Sequence, residues 1–445
     1  MKKNLIIMVF FVMGFVLIIV NCVYNHHKII NGYTDKESYF PGEVASVFLN
    51  PQISGFKNIH IYDLKGNIIL TFRANVSKQI INSSKPWENG FNYEESFKFR
   101  IPNIKSGVYL IENQIPFIVK SKTPRKITLV YPSNTVNAYN SAGGKSAYTY
   151  NSSNKEKANI LSFNRPRPFN ALSYCKEFLI WLNKESSYDI NYICDLDLED
   201  YSEIANSEII VIPGHSEYWT RQARKNFDRF IDEGGHALIL SGNTMYWQVR
   251  YTQDKKKMVI YKDHKEDPEI DSLLKTDLWN STFLRYPTSK SIGVSFENGG
   301  FGGKNDEGWD GFKIVNEKSP LLRGTGLSKG SILKLKTNEY DGAILREYIN
   351  DLSDESETSY ALNLDTLNAY RGELIGYDYG YRNRKTIGTF IVYQRSKNSG
   401  IIVNASSTNW CNAEGISKSK LIRKITKNMF DLLLSNESLF NEPLY

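Results

Sequence analysis

The chain reads IIVIPGHSEYW at residues 209–219. A short apolar stretch, typical of a buried strand, is followed at once by polar side chains. The same pattern recurs at residues 127–131 and 236–241, and a helix with one apolar face is predicted between Thr220 and Gly234. Strands that alternate with helices predict parallel βαβ units in a doubly wound sheet.

The predicted fold class is therefore α/β. We expect a flavodoxin-like or class I glutamine amidotransferase-like parallel-sheet domain at about residues 123–440. Residues 252–335 break the strand–helix rhythm and are interpreted as an insertion into this domain. Before it, residues 38–122 carry short strands separated by turns, which predicts a small β-sandwich.

The amino terminus has an unbroken apolar run at residues 5–20, preceded by Lys2 and Lys3. Twenty helical residues span roughly 30 Å, the thickness of the hydrocarbon layer. This pattern predicts a transmembrane anchor at residues 1–24, with the body of the protein on the periplasmic or extracellular side. A cleaved signal segment and a lipidated Cys22 remain alternatives.

Composition and charge limit the partners. The chain has 445 residues with 55 Lys and Arg against 48 Asp and Glu, a formal net charge of +7. The basic residues are dispersed, so the sequence does not predict nucleic-acid binding, which needs a clustered basic face. A homo-oligomer is possible.

Cys175 and Cys194 could pair, but two buried free thiols are the preferred interpretation.

The best local signal for chemistry is the pair His215 and Glu217, directly beyond the strand at 209–213. Ligands of open α/β sheets bind at the carboxyl ends of the strands. An imidazole and a carboxylate there could ligate a metal or act as acid and base; a loop histidine and a surface glutamate are the plainer alternative. Ser216 sits in a near-match to the nucleophile elbow, but Tyr218 replaces its second glycine.

Two further polar segments follow predicted strands of the same sheet. Residues 133–146 contain Asn134 and Asn137, and residues 241–250 contain Asn243. If the sheet forms as predicted, these three amides lie at the same edge and are candidates for binding a substrate. Asn and Ser side chains that cap turns explain the same pattern equally well.

These polar segments, taken in order, resemble a known family. The stretches at 133–146, 163–166, 195–197, 213–219 and 241–250 look like the carboxyl-terminal domain of the N,N-dimethylformamidase large subunit. Residues 403–410 resemble that family's closing strand and its tryptophan-containing turn, and the resemblance spans about residues 38–435. The family enzyme also has a separate small subunit, which this chain does not supply. The apolar amino terminus of this chain departs from the family pattern.

The resemblance implies a mononuclear ferric iron (Fe3+) held by tyrosine phenolates and a glutamate. Tyr139 and Glu217 match two of these ligands, and Tyr148 is taken as the second tyrosine, with Tyr109 as the alternative. Hard phenolate and carboxylate oxygens suit a hard trivalent ion, although another metal is possible.

The resemblance also implies catalytic roles for His215, beside the metal, and for Glu339. The function expected is hydrolysis of the carbon–nitrogen bond of a small amide by a membrane-anchored or exported metal-dependent hydrolase. The alternative is a non-catalytic binding or assembly protein of the cell envelope, with a glycan as partner, because a fold by itself does not confer function.

Overall fold

Strands dominate the secondary structure. The computed structural model describes residues 29–169, 173–185, 187–303, 308–349, 358–435 and 437–441. Strands make up 34% of these residues, and helices, counting short 3-10 and π segments, 19%. The α-helices are α1 (Pro86–Asn89), α2 (Ser133–Tyr139), α3 (Lys176–Lys184), α4 (Arg221–Asp232), α5 (Ser289–Ile292), α6 (Leu364–Leu367) and α7 (Lys420–Leu433).

Two sheets form the amino-terminal part. Their strands are β1 (Ile29–Thr34), β2 (Ser38–Tyr39), β3 (Val44–Pro51), β4 (Gly55–Tyr62), β5 (Ile68–Val76), β6 (Phe97–Arg100), β7 (Gly107–Ile111) and β8 (Ile115–Val119). The orders are β1-β3-β6 and β2-β8-β7-β4-β5. Buried side chains from both sheets, including Val47, Ile61 and Phe117, form one apolar cluster. Alternation along β4 puts Ile59 and Ile61 in this core and leaves Phe56 exposed.

A sheet of eleven strands forms the centre of the molecule. Its strands are β9 (Ile127–Tyr131), β11 (Ile190–Cys194), β12 (Ile209–Gly214), β14 (His236–Ser241), β17 (Ser295–Phe301), β18 (Gly311–Ile314), β19 (Ile332–Lys334), β20 (Glu339–Gly342), β23 (Arg371–Tyr381), β24 (Lys385–Gln394) and β25 (Ile401–Asn404). The main path runs β11-β9-β12-β14-β25-β24-β23-β17-β20.

The predicted fold class is wrong. Strands β11, β9, β12, β14 and β25 are parallel neighbours, but β24 joins β25 antiparallel and the remaining ladders are antiparallel too. The sheet is thus mixed, not the parallel sheet of a flavodoxin-like or amidotransferase-like domain. The mixed direction arises because β24 and β23 continue the sheet antiparallel beyond β25, and because β17, β18 and β19 of residues 252–335 join this sheet instead of standing apart from it.

Both faces of the parallel strands are covered. Val211 and Leu238 face one apolar cluster with α3 and α7, whereas Ile210 and Ile239 face a second cluster with α4. Burial on both faces explains why these strands are continuous apolar runs. Helix α4 begins where the sequence predicts, with the Thr220 hydroxyl accepting a hydrogen bond from the Ala223 amide at 3.2 Å.

Two small sheets complete the fold. Strands β10 (Ile160–Ser162), β13 (Tyr218–Thr220), β15 (Trp247–Tyr251) and β16 (Lys257–Val259) form a sheet of order β10-β16-β15-β13. Strand β13 starts one residue after Glu217 and β16 ends shortly before Lys262, so this sheet stands at the carboxyl edge of the parallel strands. Strands β21 (Leu345–Ile349) and β22 (Thr358–Leu362) form a hairpin.

The predicted membrane anchor at residues 1–24 lies outside the described residues. The localisation as a single-pass membrane protein needs correction, because in the described part of the chain no helix is both long and apolar enough to cross a bilayer. The prediction of free thiols is confirmed, since Cys175 and Cys194 are buried and unpaired. The domain limits drawn from the sequence remain predictions.

Candidate functional site

The turn after β12 places the candidate residues. Gly214 ends this strand with φ of +72°, and a Cβ there would meet the Tyr174 carbonyl group at 2.9 Å, so glycine is required. The Glu217 amide donates to the Thr135 hydroxyl of α2 at 2.9 Å. The Ser216 amide donates to the Ser241 hydroxyl at the end of β14 at 3.1 Å. The turn is therefore tied to both neighbouring strand ends.

Three oxygen-bearing side chains meet at this edge, and we name them the oxygen cluster: Tyr139, Tyr148 and Glu217. The Tyr139 hydroxyl donates to Glu217 Oε2 at 2.8 Å. The Tyr148 hydroxyl lies 2.9 Å from both Glu217 Oε1 and the Tyr139 hydroxyl. Tyr139 and Glu217 are 78 residues apart in sequence, and the structure has the close approach that their positions after two parallel strands predict.

His215 faces the oxygen cluster with one ring nitrogen. Its Nδ1 lies 3.0 Å from the Gly242 carbonyl, which can only accept, so Nδ1 carries a proton. Its Nε2 lies 3.2 Å from the Tyr139 hydroxyl, 3.3 Å from Glu217 Oε2 and 3.8 Å from Glu339 Oε2. Burial lowers the pKa of His215, but Glu339 and Glu217 outweigh it and raise that pKa to about 9.

The two carboxyl groups on either side of His215 differ. Burial raises the pKa of Glu217, but the His215 imidazole and the Lys262 ammonium outweigh burial and the net shift is downward. The pKa of Glu339 shifts upward because burial outweighs the attraction of His215. Environments that separate the pKa values of two nearby carboxyl groups are typical of acid–base sites.

Asn243 is held against Glu339. Its Nδ2 donates to Glu339 Oε2 at 3.1 Å, while its Oδ1 is buried without a hydrogen-bond partner in the described residues. The residue has φ of 50°, in the left-handed region that asparagine tolerates better than most side chains. Uncommon backbone conformations of this kind occur often at functional sites, and here one places the unpartnered Asn243 amide oxygen next to the Glu339 carboxyl group.

Two members of the site were missed from the sequence. The Lys262 ammonium lies 3.6 Å from the Tyr148 ring centroid and 5.1 Å from that of Trp247. Burial lowers the pKa of Lys262 to about 8, although Glu217 opposes this shift. The Tyr218 hydroxyl donates to that of Tyr148. Lys262 lies in the predicted insertion, and no local sequence pattern indicates that it belongs to the site. Tyr218 directly follows Glu217, so its place in the sequence could have indicated that it belongs to the site.

Other predicted residues are engaged elsewhere. Asn134 donates to the Tyr218 carbonyl at 3.1 Å and accepts from the Tyr251 hydroxyl at 3.0 Å. The Tyr109 hydroxyl, the alternative ligand, donates to the Lys105 carbonyl at 2.7 Å in the amino-terminal part. Ser216 is buried and its hydroxyl accepts from the Trp219 indole at 3.0 Å. Within the described residues no histidine or carboxylate is hydrogen-bonded to this hydroxyl, as a serine nucleophile would need.

Arg165 organises the segment between the two tyrosines. This fully buried side chain donates to Asn137 Oδ1 at 3.0 Å, so the Asn137 amide serves the loop. The guanidinium also donates to the carbonyls of Asn137, Asn140, Ala142 and Lys145 at 2.6–3.1 Å. It therefore fixes the backbone between Tyr139 and Tyr148; the motif at 163–166 contributed to the family resemblance but did not indicate this role.

The comparisons with known proteins agree with this geometry. A family model described as "N,N-dimethylformamidase beta subunit-like, C-terminal" matches residues 74–417. The chain belongs to this family. The resemblance inferred from the sequence motifs is thereby confirmed, and the match includes every residue of the oxygen cluster together with His215 and Glu339. No curated protein matches the chain.

Solved structures give only distant likenesses. A putative ThuA-like protein from Bacteroides uniformis has a TM-score of 0.33 at 12% identity, over 71% of this chain and 94% of that one. The mmIFT52 N-terminal domain has a TM-score of 0.24 at 9% identity, over 58% of this chain and 90% of that one. Likenesses this weak carry no argument about fold or function.

The oxygen cluster fits a metal ion by its spacing and chemistry. Oxygen ligands roughly 2.0–2.2 Å from one ion lie about 2.8–3.1 Å apart when they subtend a right angle, and the oxygens here are 2.8–3.0 Å apart. No group of three or more His, Cys, Asp or Glu side chains in the described ranges is arranged to hold a metal. Any ion at this point would therefore depend on the two phenols.

Proposed function

We propose that the protein is a metal-dependent hydrolase that cleaves the carbon–nitrogen bond of a small amide. The observation that carries the proposal is the oxygen cluster, in which two phenols and one carboxylate converge within 3.0 Å of one another. Membership of a dimethylformamidase-like family supports the same reaction class. We assign Tyr139, Tyr148 and Glu217 as the ligands of a ferric iron, whose hardness matches these oxygens.

A bound ion would supply Lewis acidity, polarising an amide carbonyl and making water more acidic. The protein supplies the proton transfers. His215 Nδ1 is held by the Gly242 carbonyl, so only Nε2 is free to exchange a proton on the side of the oxygen cluster. Beside Glu217 and Glu339 the pKa of His215 is about 9, which keeps the imidazole protonated; the positive charge of a bound ion would lower that pKa and favour the neutral ring. We assign the neutral His215 as the group that takes the proton from the attacking water and returns one to the leaving amine.

Glu339 and Asn243 complete the assignment. Glu339 Oε2 lies 3.8 Å from His215 Nε2, where a carboxylate stabilises the imidazolium that forms during the reaction. Asn243 Oδ1 is a buried acceptor without a partner in the described residues and suits an N–H group of a substrate or product. Tyr174 packs on His215 with ring centroids 5.3 Å apart, which restricts access of water to the imidazole.

The decisive experiment is metal analysis of the purified full chain together with amide turnover. We expect one iron per chain, and we expect Tyr148→Phe to lose most of the iron and the activity because it removes one ligand oxygen. Tyr109→Phe is the matched control, since among the described residues its hydroxyl bonds only to the Lys105 carbonyl, far from the oxygen cluster. Full iron and full activity in Tyr148→Phe would refute the ligand assignment, and a metal-free, inert wild type would favour the binding-protein alternative.

A further inference from the structure

A second concavity opens away from the oxygen cluster, between the amino-terminal sheets and the central sheet. We name it the side cleft. Its volume is about 500 Å³, and one wall comes from residues 35–48 and the other from Phe163, Asn164, Leu196 and the turn at 254–256. No lining residue belongs to the candidate active site. Ligand pockets of roughly 300–1,000 Å³ occur preferentially where two such units meet.

Most lysines that line the side cleft are already paired. Lys120 Nζ lies 3.2 Å from Asp197 Oδ1 and also contacts Glu203. Lys36 pairs with Glu43 at 3.2 Å. Lys255 likewise pairs with Glu199 at 3.1 Å. The positive charge of these side chains is therefore neutralised within the protein.

Two carboxylates of the side cleft have no such partner. Asp35 Oδ1 accepts from the Tyr39 hydroxyl and the Ser46 amide, both at 2.8 Å, and no cationic side chain of the described residues lies within ion-pair distance. Asp254 Oδ1 accepts from the Lys256 amide at 3.0 Å, and its carboxylate is likewise without an ion pair in the described chain. Lys256 is the one lining lysine without an ion pair in the described residues, so two unpaired carboxylates face one unpaired ammonium and the cleft carries one surplus negative charge, on a protein whose net charge is +7.

Aromatic rings form the apolar part of the walls. Phe40, Phe48 and Phe163 line the side cleft together with Leu196. The Lys120 ammonium already lies 4.0 Å from the centroid of the Phe40 ring, so a cation sits on an aromatic face within this cleft. Rings beside unpaired carboxylates favour a ligand that is apolar at one end and cationic at the other.

We propose that the side cleft binds a small organic cation, an amine or guanidinium with an apolar body. The carboxylates of Asp35 and Asp254 attract the charged head, and the phenylalanine rings cover the apolar part. This inference does not depend on the proposed hydrolase activity, because the two sites share no residue.

The test compares three ligands that share a phenyl ring and carry a positive, a neutral or a negative head group. Isothermal titration of the full chain with phenethylammonium, 2-phenylethanol and phenylacetate keeps the aromatic ring constant. We expect the ammonium to bind at least about ten-fold more tightly than the alcohol, the carboxylate to bind most weakly, and the preference to fall with added salt. Equal binding of all three, or no binding of the ammonium, would overturn the proposal.

Variants locate the binding. Asp254→Asn keeps the acceptor of its turn but removes the charge, so the affinity for phenethylammonium should fall about three- to ten-fold. Asp271→Asn is the matched control, because Asp271 Oδ1 accepts from the Leu273 amide at 2.9 Å in a similar turn outside the cleft. Lys256→Gln should strengthen binding. Equal losses in the two aspartate variants would contradict the assignment of the site.

Discussion

Replacing Arg165 by lysine tests how the segment between Tyr139 and Tyr148 is held. The guanidinium has five N–H donors and serves the carbonyls of residues 137, 140, 142, 145 and 162 as well as Asn137 Oδ1. Burial lowers the pKa of Arg165 to about 9, which shows that removing this charge from water is costly. The hydrogen bonds to the guanidinium offset that cost. Lysine keeps a charge but has three donors at one point, which leaves at least three of the six acceptors unserved.

Each lost hydrogen bond to a buried acceptor costs about 1 kcal/mol or more, so Arg165→Lys should lower the free energy of unfolding by about 3 kcal/mol. Urea denaturation followed by tryptophan fluorescence measures this change. Arg229→Lys is the matched control, because Arg229 is exposed and its ion pair with Glu233 is screened by solvent and adds little to stability.

A second readout follows the segment itself. The peptide bond after Lys145 should be cut faster by trypsin in Arg165→Lys, because the carbonyl of that residue loses its donor. Stability within about 0.5 kcal/mol of the wild type, with unchanged cleavage, would refute the reasoning, since it would mean that solvent or other groups replace the guanidinium without cost.

Three further predictions concern the same region. Burial raises the pKa of Asp341 from 3.8 to about 8, so the folded state keeps a proton that the unfolded chain releases. The free energy of unfolding should therefore fall as pH rises from about 4 to 8. Asp341→Asn should reduce this difference, as measured by urea denaturation at about pH 4 and about pH 8. Gly214→Ala should destabilise the protein by more than about 1 kcal/mol in the same assay, because its φ is +72° and the added Cβ meets the Tyr174 backbone; an unchanged midpoint would contradict this. Lys262→Met should lower amide turnover while the urea midpoint holds, because an apolar side chain replaces a half-buried cation beside Tyr148; unaltered kcat and KM would exclude Lys262 from the reaction.

The local patterns of the sequence were sufficient for part of the fold. Apolar runs at 127–131, 209–213 and 236–241 become β9, β12 and β14, and Thr220 begins the helix that the spacing predicts. A strand buried on both faces needs such a run, and a helix start needs a cap, so both signals are contained in neighbouring residues. The position of His215 and Glu217 beyond a strand end follows from the same local order.

Strand pairing was not contained in those patterns. The periodicity of a strand does not state which partner it pairs with or in which direction. Strands β17 to β20 carry no helical crossovers between them and pair antiparallel, which turns a presumed insertion into part of an eleven-stranded sheet. The predicted parallel-sheet class failed at this point, because it extended the direction of five strands to the whole sheet.

The sequence by itself determined which residue types stand at the carboxyl edge of the parallel strands, and the family resemblance indicated Tyr139, Tyr148, Glu217, His215 and Glu339. Only the tertiary structure decided which side chains join them. Tyr218 and Lys262 join the oxygen cluster, and Arg165 fixes the loop that precedes Tyr148, through contacts between residues distant in sequence, such as Tyr218 and Tyr148, which are 70 residues apart. Such contacts depend on how loops and sheets pack, and no local periodicity or spacing encodes that packing.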